Sequence, residues 1–208
     1  MNDESGLLPR LRDRDEEAFR ELVRRHHGVL LRLAGTFVRS AATAEEVVQE
    51  TWLAVLQGLD GFEGRSSLKT WIYSILANRA RTRAVRDGRT VLFSEIGEED
   101  SRELAVDPSR FGPSGSWNEP PQPWDLTSPE ARAASAQLAE HVRNAIDGLP
   151  PTQRAVVLLR DVEGCTAEEA CNILAVSETN QRVLLHRGRS RVRKALEALL
   201  ANPRGRRG

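Results

Sequence analysis

The stretch "TAEEACNILAVSETNQRVLLHRGRSRVRKAL", residues 166–196, decides the architecture of this chain. Thr166, with Glu169 three residues on, marks a helix start, and Ser177 opens a second helix after the turn 175–177. A short helix, a tight turn and a longer basic helix fit a helix-turn-helix. Periodicity divides the longer helix into two stripes. Leu185, Gly188, Val192 and Leu196 form one, facing a core. Arg182, His186, Arg189 and Arg193 form the other, flanked by Arg187, Arg191 and Lys194. From Arg182 to Lys194 there are six bases and no acid. A solvated helix face usually mixes signs to gain i,i+4 pairs. A single-signed face instead suits duplex DNA, with the helix's first residues on base edges and flanking Arg and Lys on phosphates.

This basic helix sits in a chain of 208 residues whose formal net charge is +0. Charge is therefore segregated, not absent. From Arg65 to Arg89 there are seven bases and one acid, Asp87. From Glu95 to Glu130 there are nine acids and two bases. Hydrophobic content of 39 % and charged content of 29 % favour small helical domains over one thick core.

The N-terminal part reads as helices. Phe19, Leu22, Val23, His26, Leu30, Leu33 and Phe37 fall on one stripe. A second helix is predicted after a capping box at Thr43 and Glu46, with Val47, Val48, Thr51, Trp52, Val55 and Leu56 facing inward. "DGFEGRSS", residues 60–67, breaks it. A third helix begins near Ser67 and buries Trp71, Ile72, Ile75 and Leu76, while its C-terminal half is polar and basic. Aromatics beside these bases suit single-stranded nucleic acid, where unstacked bases meet rings or pockets. Residues 90–130 hold prolines 108, 113, 120, 121, 123 and 129 and no periodicity, the mark of a linker. Trp117 and Trp124 are unusual there and are read as anchors. Helical periodicity returns from about Glu130 to Leu200, and the tail 202–208 reads as disordered.

Other functions find no support. No phosphate-binding glycine loop, H-E-x-x-H or G-x-S-x-G pattern occurs, so neither an enzyme nor a cofactor is expected. Cys165 and Cys171 lack zinc-ligand spacing and read as buried thiols, and no metal site is expected. His26 and His27 read as core and surface positions of one helix. With no signal-like core at the N-terminus and no apolar run near the roughly 20 residues that span a bilayer, a soluble intracellular protein is expected. The residues alone leave open a two-domain helix-turn-helix regulator that acts on duplex DNA without polymerase.

Two segments resemble one family. Residues 43–89, "TAEEVVQETWLAVLQGLDGFEGRSSLKTWIYSILANRARTRAVRDGR", resemble region 2 of an extracytoplasmic-function (ECF) sigma factor of the sigma-70 family. Residues 145–196, from "AIDGLPPTQRAVVLLRDVEG" to "RKAL", resemble region 4. The resemblance implies an all-α protein with region 2 over 1–89, a linker over 90–130 and region 4 over 131–201. It also implies an alternative sigma factor that directs RNA polymerase core to promoter DNA. The acidic face Glu45, Glu46, Gln49 and Glu50 becomes a docking site for the β′ clamp helices, and region 4 meets the β flap. Phe62, Arg65, Ser66, Lys69, Trp71, Asn78 and Arg79 become readers of an unpaired −10 strand. Thr179, Asn180, Arg182, Val183, His186, Arg187, Arg189 and Arg191 become readers of the −35 duplex. An anti-sigma factor is implied as a further partner, with the protein cytoplasmic or held at the membrane by that factor. The resemblance weakens at Thr179-Asn180-Gln181, where many relatives carry Gly-Thr-Val, and at Val183 and Leu184, which replace polar residues.

Overall fold

A computed structural model gives the fold and describes residues 6–88 and 129–201. Among these the structure is all-α. The N-terminal half comprises α1 (Leu7–Arg12), α2 (Glu16–Ala34), α3 (Ala41–Gly58) and α4 (Leu68–Arg86), with a 3-10 turn at Leu59–Gly61. The C-terminal half comprises α5 (Pro129–Asp147), α6 (Pro151–Val157), α7 (Ala167–Leu174) and α8 (Glu178–Ala201). A π-helical turn, Leu158–Val162, extends α6. The linker predicted over 90–130 falls outside the described residues except for its last two, which begin α5. Trp117, Trp124 and the tail 202–208 also lie outside them.

Side-chain caps define most helix starts. Asp15 accepts from the amides of Glu17 and Ala18 at 2.9 and 3.2 Å. Ser67 accepts from Thr70 N at 3.1 Å. Thr166 and Glu169 form the full reciprocal box, at 2.7 and 3.1 Å. Ser177 accepts from Asn180 N at 3.2 Å. Such caps contribute about 1 kcal/mol each. The box predicted at Thr43 and Glu46 is corrected: α3 starts one turn earlier, where Ser40 accepts from Thr43 N at 3.0 Å.

Leu22, His26, Leu30, Leu33 and Phe37 are buried as predicted, and Phe19 and Val23 are half-buried. His26 is held by the Tyr73 hydroxyl, 3.1 Å from its Nδ1. On α3, Val47, Val48, Thr51, Trp52 and Val55 are inside, but Leu56 points out and is 49 % exposed. The inward assignment of Leu56 was one helical step too wide. α4 buries more than one stripe. Ile72, Leu76 and Ala80 are inside, and so are Leu68, Thr70, Tyr73, Ala77 and Ala84. One side of α4 packs on α2 and α3, and another side packs on α7. A continuous apolar cluster runs from Leu7 in the first helix to Leu185 in the last.

In the C-terminal half, α7 ends at Ala175 with φ 56° and ψ 49°. A left-handed non-glycine residue is strained by about 1–2 kcal/mol. It produces the tight turn that swings α8 across α7. α8 then packs on α6 through Gly188, which is buried.

Candidate nucleic-acid interface

Three surfaces carry the residues singled out above. The first is the loop after α3. Phe62, predicted to meet DNA, is only 7 % exposed. Its ring packs on Trp71 with centroids 4.9 Å apart, and its carbonyl accepts from Arg12 Nη2 at 2.6 Å. Phe62 is thus an anchor of the loop. Trp71 needs the missing side chain at Gly58, where a Cβ would lie 3.1 Å from the indole. With Ser67 capping α4, the loop is fixed at both ends. The tip between, Glu63, Gly64, Arg65 and Ser66, is exposed, and Gly64 takes φ +72°. Arg65 and Ser66 therefore stand where a nucleic acid can meet them. Asn78 is exposed farther along α4, and Arg79 reaches Glu50 at 3.3 Å. Lys69 lies elsewhere: it is 9 % exposed and donates to the Glu163 carbonyl of the C-terminal half.

The second surface is α8. Arg182 and Thr179 are exposed, and Val183, His186, Arg187, Arg189 and Arg191 are half-buried. Asn180 is only 4 % exposed, so in this arrangement it does not present its side chain to a duplex. Leu184 and Gln181 are buried too, which explains two of the departures noted above: both belong to the core stripe. Arg189 is committed within the chain, with Nε and Nη2 on the two Asp161 carboxylate oxygens at 3.0 and 2.5 Å. Arg193 pairs with Glu197 at 2.6 Å. Burial, and then the charges of Arg189 and Arg187, lower the His186 pKa below its usual range. The ring is therefore uncharged at neutral pH and offers a hydrogen-bonding group, not a cation.

The third surface is the outer face of α3. Glu45, Glu46, Gln49 and Glu50 are all exposed, as predicted. Leu53, 59 % exposed, and Leu56 continue the same stripe and were not foreseen. Leu53 lies four residues from Gln49 and three from Glu50, and Leu56 three from Leu53; that spacing was the available signal. Part of the acidity is balanced locally. Arg83 reaches Glu46 at 2.9 Å, and Arg79 reaches Glu50.

Both cysteines are free and buried. Burial pushes the Cys165 thiol up to about 11. At neutral pH it is a thiol, and thiolate is the reactive form. Iodoacetamide at pH 7 is expected to leave Cys165 unlabelled in the native protein and to label it after unfolding, as read by mass spectrometry.

Known proteins share these surfaces' framework. Residues 22–90 match the family model of Sigma-70 region 2, and residues 139–192 match that of Sigma-70, region 4. The RNA polymerase sigma-H factor of Pseudomonas aeruginosa is 28 % identical over 194 residues, 93 % of this chain and 94 % of that protein. The ECF RNA polymerase sigma-E factor of Escherichia coli K12 is 27 % identical with the same coverage. The chain belongs to the extracytoplasmic-function sigma factors. Its fold is similar to that of CnrH, solved in complex with the cytosolic domain of CnrY. The TM-score is 0.51 at 20 % identity, covering 95 % of this chain and 99 % of that one. As a sigma factor it is a transcription initiation factor that directs RNA polymerase to promoters. Among the described residues no helix is long and apolar enough to cross a membrane, and no group of three His, Cys, Asp or Glu residues could hold a metal ion.

Proposed function

We propose that this sigma factor reads its promoter at two places with different chemistry. The tip Glu63–Ser66 and α4 engage an unpaired −10 strand, and α8 engages a −35 duplex. The observation that carries the first assignment is the loop anchored at both ends, which holds Arg65 and Ser66 in fixed, exposed positions. A base is readable on its pairing edge only after it leaves the stack, so reading and strand opening become one event. Unstacking costs a few kcal/mol per base, within reach of stacking and phosphate contacts. Lys69 joins the −10 readers only if the C-terminal half moves away.

On α8 the readers divide. Arg182 and Arg187 are the free-reaching arginines, with Thr179, Val183, His186 and Arg191 around them. Arg189, held by Asp161, fixes the π-helical turn against α8 and keeps the helix in register. Arg187→Ala is expected to lower −35 duplex affinity by about 1–3 kcal/mol and to alter its base preference. Equal loss on every −35 sequence in a fluorescence-anisotropy series would make Arg187 a phosphate contact instead.

The outer face of α3 docks on the β′ clamp helices of core polymerase, and the C-terminal half meets the β flap. The region division 1–89, 90–130 and 131–201 follows the two reading units. The protein acts in the cytoplasm, and an anti-sigma factor holds it there or at the membrane. This last point rests on relatives: CnrH was solved with CnrY bound. Purified protein plus core polymerase tests the whole reading. Run-off transcripts starting at defined promoters support it. Duplex binding without core binding would favour a regulator that works apart from polymerase.

A further inference from the structure

Among the described residues two that are not glycine take a left-handed backbone, Ala175 and Arg14. Ala175 makes the turn of the helix-turn-helix. Arg14 closes α1, and local structure explains the turn but not the residue. Arg14 N donates to the Leu11 carbonyl at 3.1 Å, and Asp15 N donates to the Arg10 carbonyl at 3.0 Å. This is the double hydrogen bond of a Schellman helix end, whose left-handed position glycine fills without steric cost. Here φ is 58° and the side chain is a long cation. A Cβ in this conformation is strained. Folding alone would favour glycine at this position, so the arginine side chain is kept at a cost.

That side chain reaches the base of the loop that carries the tip Glu63–Ser66. α1 packs on the 3-10 turn Leu59–Gly61. Its arginines differ in what they do there. Arg10 is bound at 2.7 Å to Asp15, the cap of α2. Arg12 holds the Phe62 carbonyl and so anchors the loop. Arg14 Nη2 lies 4.0 Å from Asp60 Oδ2, and the two side chains are 87 % and 72 % exposed. An ion pair so open to water contributes almost nothing to stability. Arg14 thus stands beside the loop as a cation that can exchange its partner. A guanidinium takes a phosphate through paired, planar hydrogen bonds, which a single distant carboxylate oxygen does not match.

We propose that Arg14 is a backbone clamp beside the tip: it binds a phosphate of the unpaired strand whose base is read at Glu63–Ser66. The proposal rests on the reading of that tip as part of the −10 surface. A flipped base turns about its own backbone, so a phosphate held at the base of the loop limits the swing. Base edges carry sequence and phosphates carry position. Arg65 and Ser66 therefore meet the base, and Arg14 fixes the strand next to it. Asp60 is the partner that the phosphate displaces.

The test uses the full chain bound to core polymerase. The probe is a fluorescent fork-junction DNA with a single-stranded −10 segment, its sequence taken from a promoter that the parent protein transcribes in run-off assays. Arg14→Gly should weaken binding about tenfold, the loss of one charged contact. The melting temperature of the free chain should hold or rise, because glycine removes the left-handed strain. The loss should be equal on every −10 sequence tried, and the slope of log affinity against log salt should become shallower by about 0.7. Asp60→Asn should tighten binding about threefold by removing the competing carboxylate. A photo-crosslinker on Arg14→Cys should label the single strand, since the native thiols are buried and do not compete. Crosslinks to polymerase subunits alone would make Arg14 a protein contact and overturn the clamp. So would unchanged affinity in Arg14→Gly, or an equal loss in Arg24→Ala, which removes the same charge at an exposed residue paired with Glu17. Arg65→Ala separates this proposal from the reading beneath it. If Arg65→Ala changes the preference among −10 sequences while Arg14→Gly binds as the parent does, the clamp fails and the −10 reading stands. If neither variant moves binding, both fail.

Discussion

Gly188→Val is expected to destabilise the C-terminal half by about 3 kcal/mol or more, with loss of −35 binding at physiological temperature. A Cβ at 188 would lie 2.6 Å from Val157 Cγ2, and 3.5 and 3.6 Å from the carbonyl and Cβ of Gln153. Val157 is 3 % exposed and Gln153 2 %, so neither has room to retreat. A β-branched side chain is also stiff at χ1 and cannot swing away from a helix face. Gly188→Ala separates the two competing terms. Helix propensity favours alanine by about 1 kcal/mol, while overpacking opposes it by about 1–3 kcal/mol. The clash should win, because the nearest atom belongs to a buried branched side chain. Denaturant melts read the difference directly. A Gly188→Ala protein as stable as the parent would mean that α6 and α8 are farther apart than the structure has them. The double change Gly188→Ala with Val157→Ala should lose less than the sum of the two singles, because the second removes the methyl that the first strikes. The consequence for function is geometric. Close approach at Gly188 sets the angle at which α8 offers Arg182 and Arg187.

Gly188 was legible as a core-stripe position because period alone assigns a face. The caps at Ser67, Thr166 and Ser177 were legible for the same kind of reason: each is a local rule acting within one turn. At α3 two such rules competed. Ser40 with Thr43 and Thr43 with Glu46 both suit a helix start, and the earlier cap won because residues 41–43 continue the helix without a break. What the sequence withheld was long-range. One buried stripe on α4 is visible in Ile72 and Leu76. The second requires knowing that α7 and the loop before it lie across Lys69, Thr70 and Tyr73, ninety or more residues away in sequence for each bond. A lysine next to a basic, aromatic-rich loop reads as a DNA contact, and only the fold shows that the Glu163 carbonyl holds it in this arrangement. The same holds for Phe62 and Asn180, which carry the right chemistry for contact but are spent on anchoring and on the α8 core. One hint was available. Ala77, Ala80 and Ala84 keep a face of α4 small, and small residues at three- and four-residue steps permit close approach of another helix.

Leu53→Glu combined with Leu56→Glu should weaken core polymerase binding by more than about a hundredfold while leaving the melting temperature unchanged. The two leucines are 59 % and 49 % exposed on an otherwise polar helix face, so replacing them removes little packing from the fold. An interface gains most from apolar groups that become fully desolvated at its centre, with charges around them acting on rate and register. Glu45, Glu46, Gln49 and Glu50 surround these leucines on the upstream side, which is the arrangement of a polar rim around an apolar centre. The ion pairs within the chain sharpen the expectation. Arg83 and Arg79 already face Glu46 and Glu50, so those two carboxylates enter the interface partly neutralised. Glu46→Lys with Glu50→Lys should therefore slow association and flatten or reverse its salt dependence, with a smaller equilibrium loss than the leucine pair. It also sets lysines against Arg79 and Arg83, so a stability control must accompany it. Titration of labelled protein with core polymerase at two salt concentrations distinguishes the two contributions. If the leucine pair binds core as the parent does, α3 is not the docking face. If the charge pair loses more than the leucine pair at both salts, docking is electrostatic at its centre, and Leu53 and Leu56 lie outside it.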